Sequence, residues 1–168
     1  QYPLAKRAWI IAHPQPLNLA LPESHVGLST PAGQRLLSES RHRSDYTALM
    51  ANFTPQQYRS YCGVASGVVA ANALSGDGDH TQDNWFNKQS EETRSAWDTF
   101  FGGMTLADFD TLLKGHGFKT KRIHGGSQTL EAFRMLVAEN MKDAGDMLVV
   151  NYHRKGIAQK GGGHFSPI

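Results

Sequence analysis

Tyr61-Cys62-Gly63-Val64-Ala65-Ser66-Gly67-Val68-Val69-Ala70-Ala71 carries the only cysteine of the 168-residue chain at the head of a run of small apolar residues. A single cysteine forms neither an internal disulfide nor a thiolate metal cage, so its chemistry is that of one thiol. The Val- and Ala-rich run reads as a buried helix, and the preceding Asn52-Phe53-Thr54-Pro55-Gln56-Gln57 reads as a loop. Cys62 therefore stands at a helix N-terminus, where free backbone N–H groups and the positive end of the dipole favour a thiolate over a thiol. A lone cysteine is as a rule a buried packing residue. The reading as a nucleophile rests on a second stretch a hundred residues downstream.

That stretch is Met147-Leu148-Val149-Val150-Asn151-Tyr152-His153, followed by Lys160-Gly161-Gly162-Gly163-His164-Phe165-Ser166-Pro167-Ile168. Branched and aromatic residues make the first part a strand. The glycines make a turn, and His164 opens a second extended segment, so a β-hairpin presents an imidazole from a sheet. A Cys at a helix start, a His on a facing sheet and a Gln shortly before the Cys resemble the papain-like arrangement. There the His takes the thiol proton and the Gln donates to the oxyanion. Gln56 and Gln57 both stand in range. The expected fold is α+β, with the nucleophile helix packed against an antiparallel sheet that carries the His.

Phe53 to Leu74, Thr81-Gln82-Asp83-Asn84-Trp85-Phe86 and Asn151 to Ile168, together with Gly103-Met104-Thr105-Leu106 and Glu131-Ala132-Phe133-Arg134, resemble phytochelatin synthases, above all their short bacterial forms. The resemblance runs from about Gly33 to the last residue and rests on two motifs in order, Gln-x5-Cys-Gly and Gly-His-Phe-Ser-Pro-Ile. It implies Cys62 as nucleophile, Gln56 as oxyanion donor and His164 as catalytic base. Asn151, Arg154 and Gly163 fall where it implies contacts to a γ-glutamyl substrate. It further implies cleavage of the Cys-Gly bond of glutathione through a γ-Glu-Cys thioester, with release of glycine and slower transfer to a second glutathione to give phytochelatins. The implied partners are glutathione and its complexes with heavy metals such as cadmium, with a homodimer possible. Metal would thus arrive with substrate, and no built-in cofactor is expected. The competing reading is a non-catalytic module that binds glutathione or a metal thiolate. The resemblance also implies a catalytic Asp in the strand after the His. No acidic residue follows His164, so that Asp is expected beyond Ile168 and the domain is expected to lack its C-terminal strands.

Composition adds bounds. One domain over residues 1–168 is expected from the length. Lys plus Arg number 17 against 15 Asp plus Glu, a net charge of +2, which gives no reason to invoke nucleic acid or a membrane surface. No stretch reaches the roughly 18 to 20 apolar residues of a membrane span, and Ala8-Trp9-Ile10-Ile11-Ala12 stops at His13-Pro14. One cysteine argues against a disulfide scaffold. A working thiol prefers a reducing compartment, so a cytoplasmic location is expected. Gln1 stands where an initiator Met would, so a processed or trimmed amino terminus is expected too, and export after leader removal stays open.

Residues 1–28 read as an arm packed over the domain. Thr30-Pro31 starts a helix that runs to about Ser40, and the helix from Cys62 ends near Leu74 at Ser75-Gly76-Asp77-Gly78-Asp79. That acidic turn lacks the ligand spacing and terminal Glu of an EF-hand and reads as a plain loop. Thr105 and Asp108 cap a helix with Leu106, Phe109, Leu112 and Leu113 inward, stopped at Gly115 or Gly117. Phe118 to Ile123 reads as a strand, with Lys119-Thr120-Lys121-Arg122 a solvated basic face that could draw in an anionic tripeptide. A helix from Ser127 or Thr129 to about Lys142 sets Leu130, Phe133, Leu136 and Val137 in one core-facing stripe. The eight histidines are scattered, with no His-x3-His pair, so no zinc site is expected. His153, beside Arg154, reads as a structural His.

Overall fold

In the computed structural model, the structure describes Leu4, Ala5, Ala8, Ala12 and residues 21–168. The arm expected over residues 1–28 lies largely outside the described residues: up to residue 20 only Leu4, Ala5, Ala8 and Ala12 are described, all helical, and 21–28 form irregular turns.

From Pro31 onward seven α-helices precede a hairpin: α1 (Pro31–Glu39), α2 (Tyr46–Ala51), α3 (Cys62–Ser75), α4 (Lys88–Thr93), α5 (Ala96–Gly102), α6 (Leu106–Gly115) and α7 (Leu130–Asn140), then β1 (Val149–His153) and β2 (Gly163–Pro167). The class is α+β, with one antiparallel two-stranded sheet in which Tyr152 faces His164 and Asn151 faces Phe165.

Local chemistry sets the helix ends. Thr30 caps α1 by accepting from Gly33 N–H, with Pro31 in the first turn. Thr105 and Asp108 form a reciprocal capping box on α6. Its far end closes on Gly117 at φ 86°, with Gly117 N–H donating to Lys114 O and Phe118 N–H to Leu113 O. Gly76, at φ 73°, ends α3 in the same left-handed region. In the acidic turn beyond it, Asp77 Oδ1 accepts from Ser75 Oγ and from Asp79 N–H, the bonds of an ordinary loop.

Helix α3 is buried on every side from Gly63 to Asn72, because its small side chains let neighbours close around it. A Cβ on Gly67 would lie 2.5 Å from Trp85 Cζ2, and one on Gly63 2.5 Å from Met104 Sδ. The core is Tyr61, Val64, Val68, Ala71 and Trp85, with Phe86, Phe100, Met104, Leu113 and Phe118 packed against it. On its other flank α3 meets α2 and β2. Phe165 of β2 is buried, its ring 4.8 Å from that of Phe109 on α6. Helix α3 thus packs against β2, whose Phe165 also joins the sheet to α6.

Two expectations fail. Phe118 to Ile123 forms no strand, since among the described residues the sheet holds only β1 and β2. The segment is pinned instead by Phe118 in the core and by Asp110, whose carboxylate accepts from Thr120 Oγ1 and Lys114 Nζ and lies 3.8 Å from Arg122. Its β-forming side chains had a core to fill but no ladder to join. The stripe on α7 is likewise not core-facing: Leu130 is 64% and Phe133 39% exposed, and no residue of α7 is buried. Lys119, Lys121 and Arg122 are exposed, as a solvated face should be.

Candidate active site

Helix α3 begins at Cys62, so the N–H groups of Cys62, Gly63 and Val64 precede the first intrahelical bond, Ala65 N–H to Tyr61 O at 2.8 Å. Unpaired donors gather around the half-buried thiol. Across from it, β2 carries His164. A cleft of about 360 Å³ is lined by Cys62, His164, Gln56, Gln57, Arg154 and Tyr152, with Phe53, Val69, Phe165 and Pro167 as apolar wall. Its size suits a small peptide. Among the described residues, Arg154 is the only Lys or Arg of that lining, and no carboxylate contributes to it.

The loop before Cys62 is braced from outside the motif. Gln82, 5% exposed, accepts from Gln57 N–H at 2.9 Å and donates to Pro55 O at 2.8 Å. A buried amide bonded at both ends fixes the Pro55–Gln57 backbone at the cleft wall. The Gln56 amide itself donates to Tyr58 O at 2.7 Å and Arg59 O at 2.9 Å. It reaches the cleft with both N–H bonds engaged by its own loop.

His164 is held by Arg154, whose Nη2 lies 2.7 Å from Nδ1. A guanidinium only donates, so Nδ1 accepts and the proton of the neutral ring sits on Nε2. Burial first, and the guanidinium second, push the imidazole down from 6.5 to about 4, so it is neutral at pH 7. Tyr152 pairs across the strands with its ring 5.6 Å from that of His164, and burial raises its phenol. The loop between the strands fixes Arg154. Its backbone N–H bonds Gly162 O, its Nη1 bonds Gln159 Oε1 at 3.2 Å, and Gly161 passes so close, at φ 120°, that a Cβ there would lie 2.9 Å from Arg154 Cδ.

The structure thus gathers Cys62, His164, Gln56 and Arg154 at one cleft. Asn151 and Gly163 are exposed and outside its lining, on the neighbouring register positions of the hairpin. His153 accepts from Lys155 N–H at 3.1 Å and caps the 3₁₀ turn Arg154–Ile157, a structural task. The brace that Gln82 forms and the Arg154–His164 contact are absent from a reading of motifs alone. Both depend on residues brought together only by folding. Among the described residues no group of three or more His, Cys, Asp or Glu side chains is arranged to hold a metal ion, and no helix is long and apolar enough to cross a membrane.

A thiol on a helix start and an imidazole on a strand thus line one cleft. The chain belongs to the phytochelatin synthase family, whose model matches residues 17–168. It is 26% identical over 150 residues to glutathione gamma-glutamylcysteinyltransferase 3 of Lotus japonicus, covering 85% of this chain and 31% of that protein. Identity to glutathione gamma-glutamylcysteinyltransferase 1 of Arabidopsis thaliana is 25% over 150 residues, 85% of this chain and 31% of that one. The enzyme of the same name from Schizosaccharomyces pombe is 24% identical over 156 residues, 88% and 37% of the two chains. The chain spans about a third of the length of the curated relatives it matches.

Proposed function

We propose that this chain is a papain-like acyltransferase that acts on glutathione through a thioester on Cys62. The thiolate attacks the carbonyl carbon of the Cys-Gly bond, and the oxyanion is received by the Cys62 backbone N–H and by Gln56 once its amide turns from the loop carbonyls. His164 takes the thiol proton and returns it to the departing glycine amine, so the C–N bond breaks as the S–C bond stands. Water then resolves the γ-Glu-Cys acyl group in the main path. The amine of a second glutathione resolves it in a slower path that yields phytochelatin. Glutathione complexes of heavy metals enter as substrate.

The observation that carries this reading is the meeting of Cys62, His164 and Gln56 at one peptide-sized cleft in a chain of this family. The names of the relatives support glutathione as the donor. Glycine release from glutathione tests it: wild type should release glycine, and Cys62→Ala should reduce release to background while its circular dichroism spectrum stays unchanged. Full activity in Cys62→Ala would overturn the covalent path. Binding of glutathione without any glycine release would favour the non-catalytic module.

A further inference from the structure

Two hydrogen bonds from one buried side chain fall on either side of Gln56. Gln82 Nε2 donates to Pro55 O at 2.8 Å and Gln82 Oε1 accepts from Gln57 N–H at 2.9 Å, on a residue only 5% exposed. The two planar peptide units so held are those that meet at Gln56 Cα, and the relation between them is set by φ and ψ of that residue. Holding both fixes the Gln56 backbone and leaves its side chain free to turn. One amide suffices for this because it carries a donor and an acceptor in a single plane.

Gln82 is in turn referred to α3. Two residues before it, the His80 N–H donates to Asn72 Oδ1 at 3.0 Å, and the His80 carbonyl accepts from Asn72 Nδ2 at 2.9 Å. Three residues after it, Trp85 is fully buried and packs against Gly67. Asn72 and Gly67 both belong to α3, whose first residue is Cys62. Residues 80–85 thus tie the loop that carries Gln56 to the helix that carries the thiol.

We propose that Gln82 is a positioning residue for the oxyanion donor: by clamping the Gln56 backbone to a segment anchored on α3, it sets where the Gln56 amide stands relative to the Cys62 N–H, the two donors that must meet on one oxygen. The inference rests on the function proposed above and adds a residue to it. In the resting cleft the Gln56 amide donates to Tyr58 O and Arg59 O. With the backbone held, exchange of those bonds for the oxyanion takes rotation of one side chain and no movement of the loop. Without the clamp the donor is still present but spread over several positions, and a donor lowers the barrier only when it is aimed at the place where charge develops.

A double-mutant cycle on glycine release from glutathione separates this role from bracing of the loop in general. Gln82→Ala should lower kcat by about 10- to 100-fold, the cost of a misplaced catalytic group, with KM little changed, as loss of an interaction made only in the transition state requires. In the Gln56→Ala background the same substitution should cost almost nothing, since no donor is left to misplace. Gln82→Met, of similar length but with neither bond, should behave alike if the Ala variant does not fold. Equal losses in the two backgrounds, or a rise in KM in place of a fall in kcat, would overturn the positioning role. The side-chain NH2 resonances of Gln56, assigned by their loss in Gln56→Ala, give a second reading that needs no turnover. They should shift in Gln82→Ala, and the Gln57 N–H should lose its protection from hydrogen exchange. If wild type releases no glycine, the proposed function fails, and Gln56 resonances unmoved by Gln82→Ala would overturn the clamp as well. If glycine is released and the cycle is additive, the positioning role alone fails.

Discussion

The places of Cys62 at a helix start and His164 on a strand were legible in the sequence, because each sits in a local pattern, a loop before the helix and a glycine turn before the strand. The brace from Gln82 was not, because its partners lie some 25 residues upstream and meet it only in the folded chain. The two glutamines separate by experiment. Gln56→Ala should lower the maximal rate of glycine release by about 10² to 10³ if it supplies one oxyanion donor, with little loss of stability, since its bonds in the resting state are exposed. Gln82→Ala should instead lower the thermal midpoint and the rate together, because it strips a buried brace from the same loop. If Gln57→Ala proved more damaging to rate than Gln56→Ala, the donor would be off by one position. Arg154 stood at a substrate position in the sequence reading. Its grip on His164 was hidden, because a contact between the turn and the second strand depends on how the nine-residue loop folds back.

Among the elements, capped helices were the most legible. Thr30, Thr105 and Thr129 each accept the N–H three residues on, an interaction written in adjacent residues. The unpaired segment from Phe118 to Ile123 and the exposed face of α7 were misread for one physical reason. Strand and stripe patterns record a side chain's preference for a surface, and they do not name the partner that supplies it. Helix α3 shows the converse, a pattern whose partner is identified by its small residues. Gly67→Ala would drive a methyl to 2.5 Å from Trp85 Cζ2, and overpacking of this kind costs about 1–3 kcal/mol. The thermal midpoint should drop and the Trp85 fluorescence should change. An unshifted midpoint would show that α3 and Trp85 have room the structure does not display.

At the scale of the whole molecule, the half-buried His116 and His164 make folding sensitive to acid. His116 stacks on Trp85 at 4.1 Å between ring centroids, with Nε2 2.7 Å from Trp85 O, and burial lowers its pKa, while His164 is lowered to about 4. The unfolded chain binds protons at both near 6.5, before the native state does, so their contribution is whole above 6.5 and is lost as pH falls below it, for His164 down to about 4. Asp45, raised by burial, acts in the opposite sense at the acid end of that range. Thermal midpoints should therefore fall steadily from pH 7 to pH 4, and His116→Gln should flatten the upper part of the slope. A flat profile in wild type would mean that neither ring is shielded as described. In the proposed reaction Cys62 becomes acylated by the γ-Glu-Cys portion of glutathione. Its most direct test is the intact mass of the protein quenched in acid shortly after mixing with glutathione. A γ-glutamylcysteinyl adduct is expected that maps to Cys62, is removed by hydroxylamine and is absent from Cys62→Ala. Glycine release with no adduct in wild type, or an equal adduct in Cys62→Ala, would contradict it.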